Sequence, residues 1–314
     1  MTKPQVTIFE AIHQAGLERL RRDCDVQTAY GASRSEIIER TRASDVIIVK
    51  SVVKVDVELI DSSPNLKIIA RAGTGLENID VAYAQSQGKQ VLSVPTGNTV
   101  SAAEFAIMQM LLLCRRIPEV YRAVGNRDFR RHLLEGRELQ AMHVGLVGLG
   151  NVGIEVARRL KAFKPRMVAY DPWSRHADEF QSMGGVMAKS LNGLTQVADI
   201  ISLHTVLTAS TRDSVNDQFF EQVKPGLLLI NTARGGVVNE DSVLKALDNK
   251  ILSYYATDFM NPEPPFDFPP EKHQFTHPFL THLRVVTTPH LAASTCDAQE
   301  RIAVDLASQI LSAL

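Results

Sequence analysis

Short apolar runs separated by amphipathic stretches recur along this chain, and they fall into two series. Between Val6 and Val94 the runs VTIF, Val26–Ala29, VIIV, LKIIA and VLSV alternate with helical patterns at Ala11–Arg21, Arg34–Thr41 and Val55–Ile60. Apolar runs of four or five residues bounded by polar turns read as buried strands, and their alternation with helices predicts βαβ units on a parallel sheet. A second series starts at His143–Val147 and continues through MVAY, DIISLH, LLLIN, YYATD and VVTT, again with helical segments between. The expectation is an α/β chain of two doubly wound parallel-sheet domains, Rossmann-like or flavodoxin-like. Between the series, Asn98–Ser101 offers capping residues for a long apolar helix, Ala102–Arg116. Asp297–Leu314 reads as an amphipathic helix returning to the first domain, which would make that domain discontinuous. The expected boundaries are 1–97 with 291–314 for a substrate domain and 98–290 for a cofactor domain. Met260–His282, rich in Pro, Phe and His, reads as a functional loop.

Composition narrows the classes. At 314 residues there is room for two cores, and 34 basic against 35 acidic residues leave a net charge of -1. Nothing in that balance attracts the molecule to nucleic acid or to a membrane surface. The N-terminus passes directly into a strand pattern, and the most apolar helical stretch, Ala106–Cys114, is too short to span a bilayer. Cys24, Cys114 and Cys296 are scattered without metal-ligand spacing, so no metal and a reduced, cytoplasmic setting are expected. The apolar helix 102–116 is a candidate homodimer surface, with burial inside one chain as the alternative.

The stretch GLVGLGNVG carries the strongest chemical signal. A strand turning through Gly148, Gly150 and Gly153 into a helix, Val152–Phe163, is built to hold a pyrophosphate. The first glycine allows the tight turn, the second lets backbone approach the phosphates, and the third lets helix pack on strand. Asp171 ends the next apolar run, where a carboxylate would accept hydrogen bonds from an adenosine ribose and would repel the extra phosphate of NADP. NAD is therefore the expected cofactor, although Arg175 lies close by. Three titratable groups then follow successive strands: Arg234 after LLLINTA, Glu263 after YYATD and His290 after VVTT. Ligands of open α/β sheets bind outside the carboxyl ends of strands, so the three have reason to converge. Arginine offers a fork for a carboxylate, and histidine beside a carboxylate is an oriented proton donor. Taken singly, each has a plainer explanation: a structural ion pair, a solvated loop acid, a satisfied histidine.

Six separated pieces complete the pattern: RAGTGLENID (Arg71–Asp80), GNTVSAAE (Gly97–Glu104), the glycine loop, NTARGGVVNE (Asn231–Glu240), DFMNPEPP (Asp258–Pro265) and PHLAASTCDAQER (Pro289–Arg301). In this order they resemble the D-isomer-specific 2-hydroxyacid dehydrogenase family, over nearly the whole chain. The resemblance implies Arg234 as carboxylate binder, His290 as proton donor and Glu263 as its partner. It implies backbone amides at Gly73, Thr74 and Gly75 for the substrate carboxylate. For the cofactor it implies Asn151 and Val152 at the pyrophosphate and His204, Thr205 and Val206 beside the adenosine. Thr232, Ala233, Arg234, Asp258 and His290 are further implied cofactor contacts, Asp258 by the nicotinamide carboxamide. The reaction implied is reversible hydride transfer between a nicotinamide and C2 of a 2-keto or D-2-hydroxy acid. The similarity is greatest to members acting on D-3-phosphoglycerate, which implies Lys50, Ser51, Arg71 and Arg131 around a substrate phosphate; ordinary surface charges are the alternative. Val206 replaces the family's usual Pro and Glu77 its usual Asp, both expected to bear on loop rigidity. Many phosphoglycerate-specific members carry C-terminal regulatory domains, so feedback through one is not expected with Leu314 last. Two other readings remain open: a glyoxylate or hydroxypyruvate reductase, and an NAD(H)-sensing corepressor-like interaction protein.

Overall fold

A computed structural model describes residues 3–266 and 269–314. Residues 1, 2, 267 and 268, part of the N-terminal stretch and of the 260–282 loop read from the sequence, lie outside the described residues. The chain divides into two compact units: Val100–Ala293, and the residues up to Thr99 together with Ser294–Leu314.

The first unit holds a five-stranded parallel sheet of β1 (Gln5–Ile8), β2 (Asp25–Thr28), β3 (Val46–Val49), β4 (Ile68–Arg71) and β5 (Gln90–Leu92), in the order β2-β1-β3-β4-β5. Sheets covered on both faces have central strands that are apolar throughout. β3 is buried at all four positions, with Val46 and Ile48 on one face and Ile47 and Val49 on the other. The first face packs with Leu20 and with Ile302, Leu306 and Ile310 of the helix Cys296–Ala313; the second packs with Ile37, Leu59 and Ile60. The C-terminal helix thus completes the first unit's core, its N-terminus capped by Thr295.

The second unit holds seven parallel strands: β6 (His143–Val147), β7 (Arg166–Tyr170), β8 (Val186–Met187), β9 (Ile200–Leu203), β10 (Leu227–Asn231), β11 (Leu252–Thr257) and β12 (Val285–Thr287). Their order is β12-β11-β10-β9-β6-β7-β8, so the direction of winding reverses between β6 and β9. That order is the dinucleotide-fold arrangement, and the reversal marks where a crevice opens at the strands' carboxyl ends. In the first sheet the equivalent reversal lies between β1 and β3.

Several sequence boundaries shift. LKIIA gives way to Ile68–Arg71, because Arg71 continues the ladder opposite Val49. VLSV shortens to Gln90–Leu92, and the long apolar helix begins at Thr99 and ends at Cys114. β8, unseen in the sequence, is two residues long and pairs with Val168 and Ala169 at the sheet edge. Alternation has no chance to register in so short a strand.

Candidate active site

The loop after β6 is shaped by what its glycines cannot carry. Gly148 sits at φ +94°, and a Cβ there would meet the His204 backbone at 2.7 Å. A Cβ on Gly153 would lie 2.3 Å from the Gly148 carbonyl oxygen, so the helix Asn151–Phe163 packs directly on the turn. In front of Gly150 a Cβ would meet nothing within 4 Å, and no side chain caps the helix that follows. An open approach to a helix N-terminus suits a diphosphate.

Asp171 braces this loop: its carboxylate accepts from the Leu149 amide at 2.8 Å and the Trp173 amide at 2.9 Å. Arg175 donates to the Asn151 side-chain oxygen at 2.9 Å, and Ser174 donates to the Leu149 carbonyl. Across the winding reversal, His204 follows β9. Both its ring nitrogens are buried with no partner among the described residues, as are the hydroxyls of Thr205 and of Thr232, just past β10. Burial holds the His204 imidazole at about 4, well below its ordinary value, so it is neutral at neutral pH. Buried polar groups without partners are rare in folded proteins, and here they cluster at the carboxyl ends of adjacent strands. The glycine cradle, the carboxylate and these orphaned groups together fit a dinucleotide.

Beyond β10 the chain turns at Arg234, half-buried and extended. Asn231 fixes the turn, donating to the Arg234 carbonyl at 2.9 Å and accepting from the Ala233 amide at 3.1 Å. His290 follows β12 with φ +57°, a left-handed backbone that costs a side-chain residue about 1–2 kcal/mol. Its Nδ1 lies 3.1 Å from a Glu263 oxygen, with both side chains about two-fifths exposed. The imidazole packs on the rings of Phe259 and Phe266, with centroids 4.5 and 6.1 Å away. Phe259 also abuts the Arg234–Gly235 turn, its Cβ 3.4 Å from where a Gly235 Cβ would stand. The structure therefore gathers the Arg234 turn, Phe259, His290 and Glu263 into one contiguous set.

Asp258 holds the His290 turn. Its buried carboxylate accepts from the Thr288 hydroxyl at 2.5 Å, the Leu291 amide at 2.8 Å and the Ala292 amide at 2.7 Å. Its carbonyl accepts from the His290 amide at 3.1 Å. Burial pushes the Asp258 carboxyl above its usual range, and the three donors oppose that. The sequence resemblance places Asp258 beside a nicotinamide; most of its hydrogen-bonding capacity is turned instead to this turn.

The first unit's candidates show a feature the sequence reading missed. Glu10, just past β1, accepts from four consecutive backbone amides: Lys50 at 2.7 Å, Ser51 and Val52 at 3.0 Å, and Val53 at 3.1 Å. Those amides form an anion nest after β3, and the protein's own carboxylate occupies it. The Lys50 ammonium donates to Gln299 at 3.0 Å, and Thr74 donates to Asn98 at 2.9 Å. Arg71 lies over Gly73 and Glu77 over Gly75. Arg131 belongs to the second unit, on an exposed single turn of 3-10 helix, Arg131–Leu133. Only a contact spanning 40 residues reveals Glu10, and no local pattern announces it.

Residues 107–292 match the model of the D-isomer specific 2-hydroxyacid dehydrogenase, NAD binding domain. The chain belongs to that family. It is 36% identical over 309 residues to a D-3-phosphoglycerate dehydrogenase of Archaeoglobus fulgidus, covering 98% of this chain and 57% of that protein. The chain spans about half the length of the curated relatives it matches. Among solved structures, the TT0316 protein of Thermus thermophilus superposes with a TM-score of 0.87 at 28% identity, covering 98% of this chain and 96% of that one. The D-lactate dehydrogenase of Aquifex aeolicus, solved with NAD and lactic acid, superposes with a TM-score of 0.84 at 25% identity, covering 98% and 94%. The second unit is thus an NAD-binding domain of this family, and the two parallel sheets are the family's α/β fold.

Proposed function

We propose that this chain is an NAD-dependent D-2-hydroxyacid dehydrogenase whose substrate pair is D-3-phosphoglycerate and 3-phosphohydroxypyruvate. The observation that carries this reading is the His290–Glu263 couple, set at the carboxyl edge of the same sheet that bears the glycine cradle. Gly148, Gly150, Asn151, Val152 and Gly153 would receive the pyrophosphate, and Asp171 the adenosine ribose. His204, Thr205 and Val206 would flank the adenosine; Thr232, Ala233, Asp258 and His290 would border the nicotinamide. Bound NADH would supply the hydride that reduces C2 of the 2-oxo acid. Arg234 would bind the substrate carboxylate and polarise the carbonyl. With Nδ1–H donated to Glu263, the imidazolium form of His290 would present Nε2–H to the carbonyl oxygen and give up that proton as negative charge develops, leaving a neutral ring. Oxidation of the alcohol reverses the proton's path. Lys50, Ser51, Arg71, Gly73, Thr74, Gly75 and Arg131 are the proposed substrate binders.

A second substrate class, an unphosphorylated 2-oxo acid such as glyoxylate or hydroxypyruvate, is favoured by the first unit's chemistry. The nest at Lys50–Val53 already holds a carboxylate, and the Lys50 ammonium is engaged by Gln299. The purified chain with NADH and a panel of 3-phosphohydroxypyruvate, hydroxypyruvate, glyoxylate and pyruvate decides. The phosphorylated acid should turn over fastest, and Lys50→Ala with Arg131→Ala should slow it far more than the others. Arg234→Ala should lower turnover roughly 100- to 1,000-fold while NADH still binds. No NADH oxidation with any acid would end the reading.

No described helix is long and apolar enough to cross a membrane. We also propose a cytoplasmic location and a homodimer, the latter on the exposed apolar side chains Tyr121, Val124, Phe129 and Leu133.

A further inference from the structure

The second unit contains another histidine–glutamate contact, apart from the His290–Glu263 couple and more deeply buried. Glu240 opens the helix Glu240–Asp248, six residues past Arg234, and one of its oxygens lies 3.0 Å from Nε2 of His277. Their side chains are only 18% and 6% exposed. The second oxygen of Glu240 accepts from the Asn261 amide at 3.0 Å. On the other side of the ring, Nδ1 of His277 accepts from the Phe279 amide at 3.2 Å. An acceptor at Nδ1 requires the tautomer with its proton on Nε2, which is the proton Glu240 accepts. Both ring nitrogens and both carboxylate oxygens are therefore used, without a charge on the imidazole. The ring is also enclosed by Phe275, stacked at 6.2 Å, and Phe279, edge-on at 4.8 Å. Phe279 in turn meets the buried Tyr255.

What these contacts hold are two stretches between β11 and β12, one at Asn261 and one at 277–279. Asn261 lies two residues before Glu263, and His277 lies near the segment's far end. Glu240 thus ties both limbs of the Glu263-bearing loop to one helix terminus, and that terminus follows the Arg234 turn directly. Glu263 is half-exposed and pairs with His290, so its placement depends on where its loop is anchored. We infer that Glu240 and His277 are a positioning pair that fastens the Glu263 loop beside the Arg234 turn and so sets the geometry of proton transfer. The inference rests on the dehydrogenase reading above for its catalytic consequence, while the fastening itself is independent of it.

Two substitutions of one residue separate the role from plain stability. In His277→Asn the side-chain oxygen still serves the Phe279 amide, but the link to Glu240 is lost. In His277→Gln an amide N–H reaches Glu240 while the Phe279 contact is given up. Amide hydrogen exchange at Asn261 and Glu263, NADH affinity by equilibrium titration, and kcat with the best 2-oxo acid are measured for both. His277→Asn should speed exchange at Asn261 and Glu263 about tenfold and lower kcat about tenfold, with NADH affinity within twofold of wild type. His277→Gln should recover most of both losses. Unchanged exchange and kcat in His277→Asn would overturn the inference. So would equal losses of kcat and NADH affinity in the two variants, the pattern of a general packing defect. If the wild-type chain oxidises NADH with no 2-oxo acid, the activity reading fails, and the exchange comparison alone then supports or overturns the fastening.

Discussion

Asp258→Asn is the sharpest local test of how His290 is held. The wild-type carboxylate is 1% exposed and takes three donors: the Thr288 hydroxyl and Leu291 amide on one oxygen, the Ala292 amide on the other. An asparagine keeping its oxygen where two donors converge turns its NH2 toward the Ala292 amide, donor against donor. Losing one charge-assisted bond and leaving a buried N–H unsatisfied costs about 2–5 kcal/mol together. Removing a buried charge whose carboxyl already sits above its usual range returns part of this. A net loss of roughly 2–3 kcal/mol exceeds the 1–2 kcal/mol needed to keep His290 at φ +57°, so the turn should relax. With tenfold in rate for each 1.4 kcal/mol, kcat should fall by up to roughly 30- to 100-fold. Amide exchange at Leu291 and Ala292 should rise in parallel. The single tryptophan, Trp173, is 91% exposed two residues past Asp171, so its fluorescence can report NADH affinity in the same samples. A variant with wild-type exchange at 291–292 and weakened NADH binding alone would refute the reasoning and assign Asp258 to the nicotinamide.

Further outcomes follow from two groups, the unpartnered His204 and the amide-bonded Glu10. His204 has a folded-state value of about 4 against 6.5 for the free side chain. The fold favours the neutral ring, so its contribution is complete above pH 6.5 and is lost as pH falls toward 4, by roughly 3 kcal/mol. The stability gap between wild type and His204→Asn, from denaturant unfolding without nucleotide, should narrow by about that much from pH 7 to pH 4; a constant gap would count against it. Glu10→Ala strands four amides of the loop after β3, near enough to solvent for water to replace some bonds. It should cost about 1–2 kcal/mol, lower the melting temperature by a few degrees, and raise KM for the 2-oxo acid more than it lowers kcat. Unaltered KM would separate the nest from substrate binding.

The sequence exposed those features that depend on neighbours in the chain. The glycine spacing after β6, the apolar central strands and the positions of Arg234, Glu263 and His290 beyond strand ends all follow from local rules. What escaped it is carried by contacts across long stretches. Asp258 meets the amides of 291 and 292, Glu10 meets those of 50–53, and Glu240 meets His277. A carboxylate seeking amides 30 or 40 residues away leaves no periodicity, and a two-residue edge strand such as β8 leaves none either. His290 illustrates the division: its place after VVTT is legible, whereas its left-handed backbone and the Asp258 clamp are products of the folded turn.

The proposed reaction delivers a hydride from NADH to one face of a 2-oxo acid and a proton from His290 to its oxygen. NADH carrying deuterium at the transferable C4 position, incubated with the best acid of the panel, tests it most directly by chiral analysis and mass spectrometry. The expected product is a D-2-hydroxy acid with deuterium on C2, and almost none from His290→Ala. An L product, a product without deuterium, or full turnover by His290→Ala would contradict it.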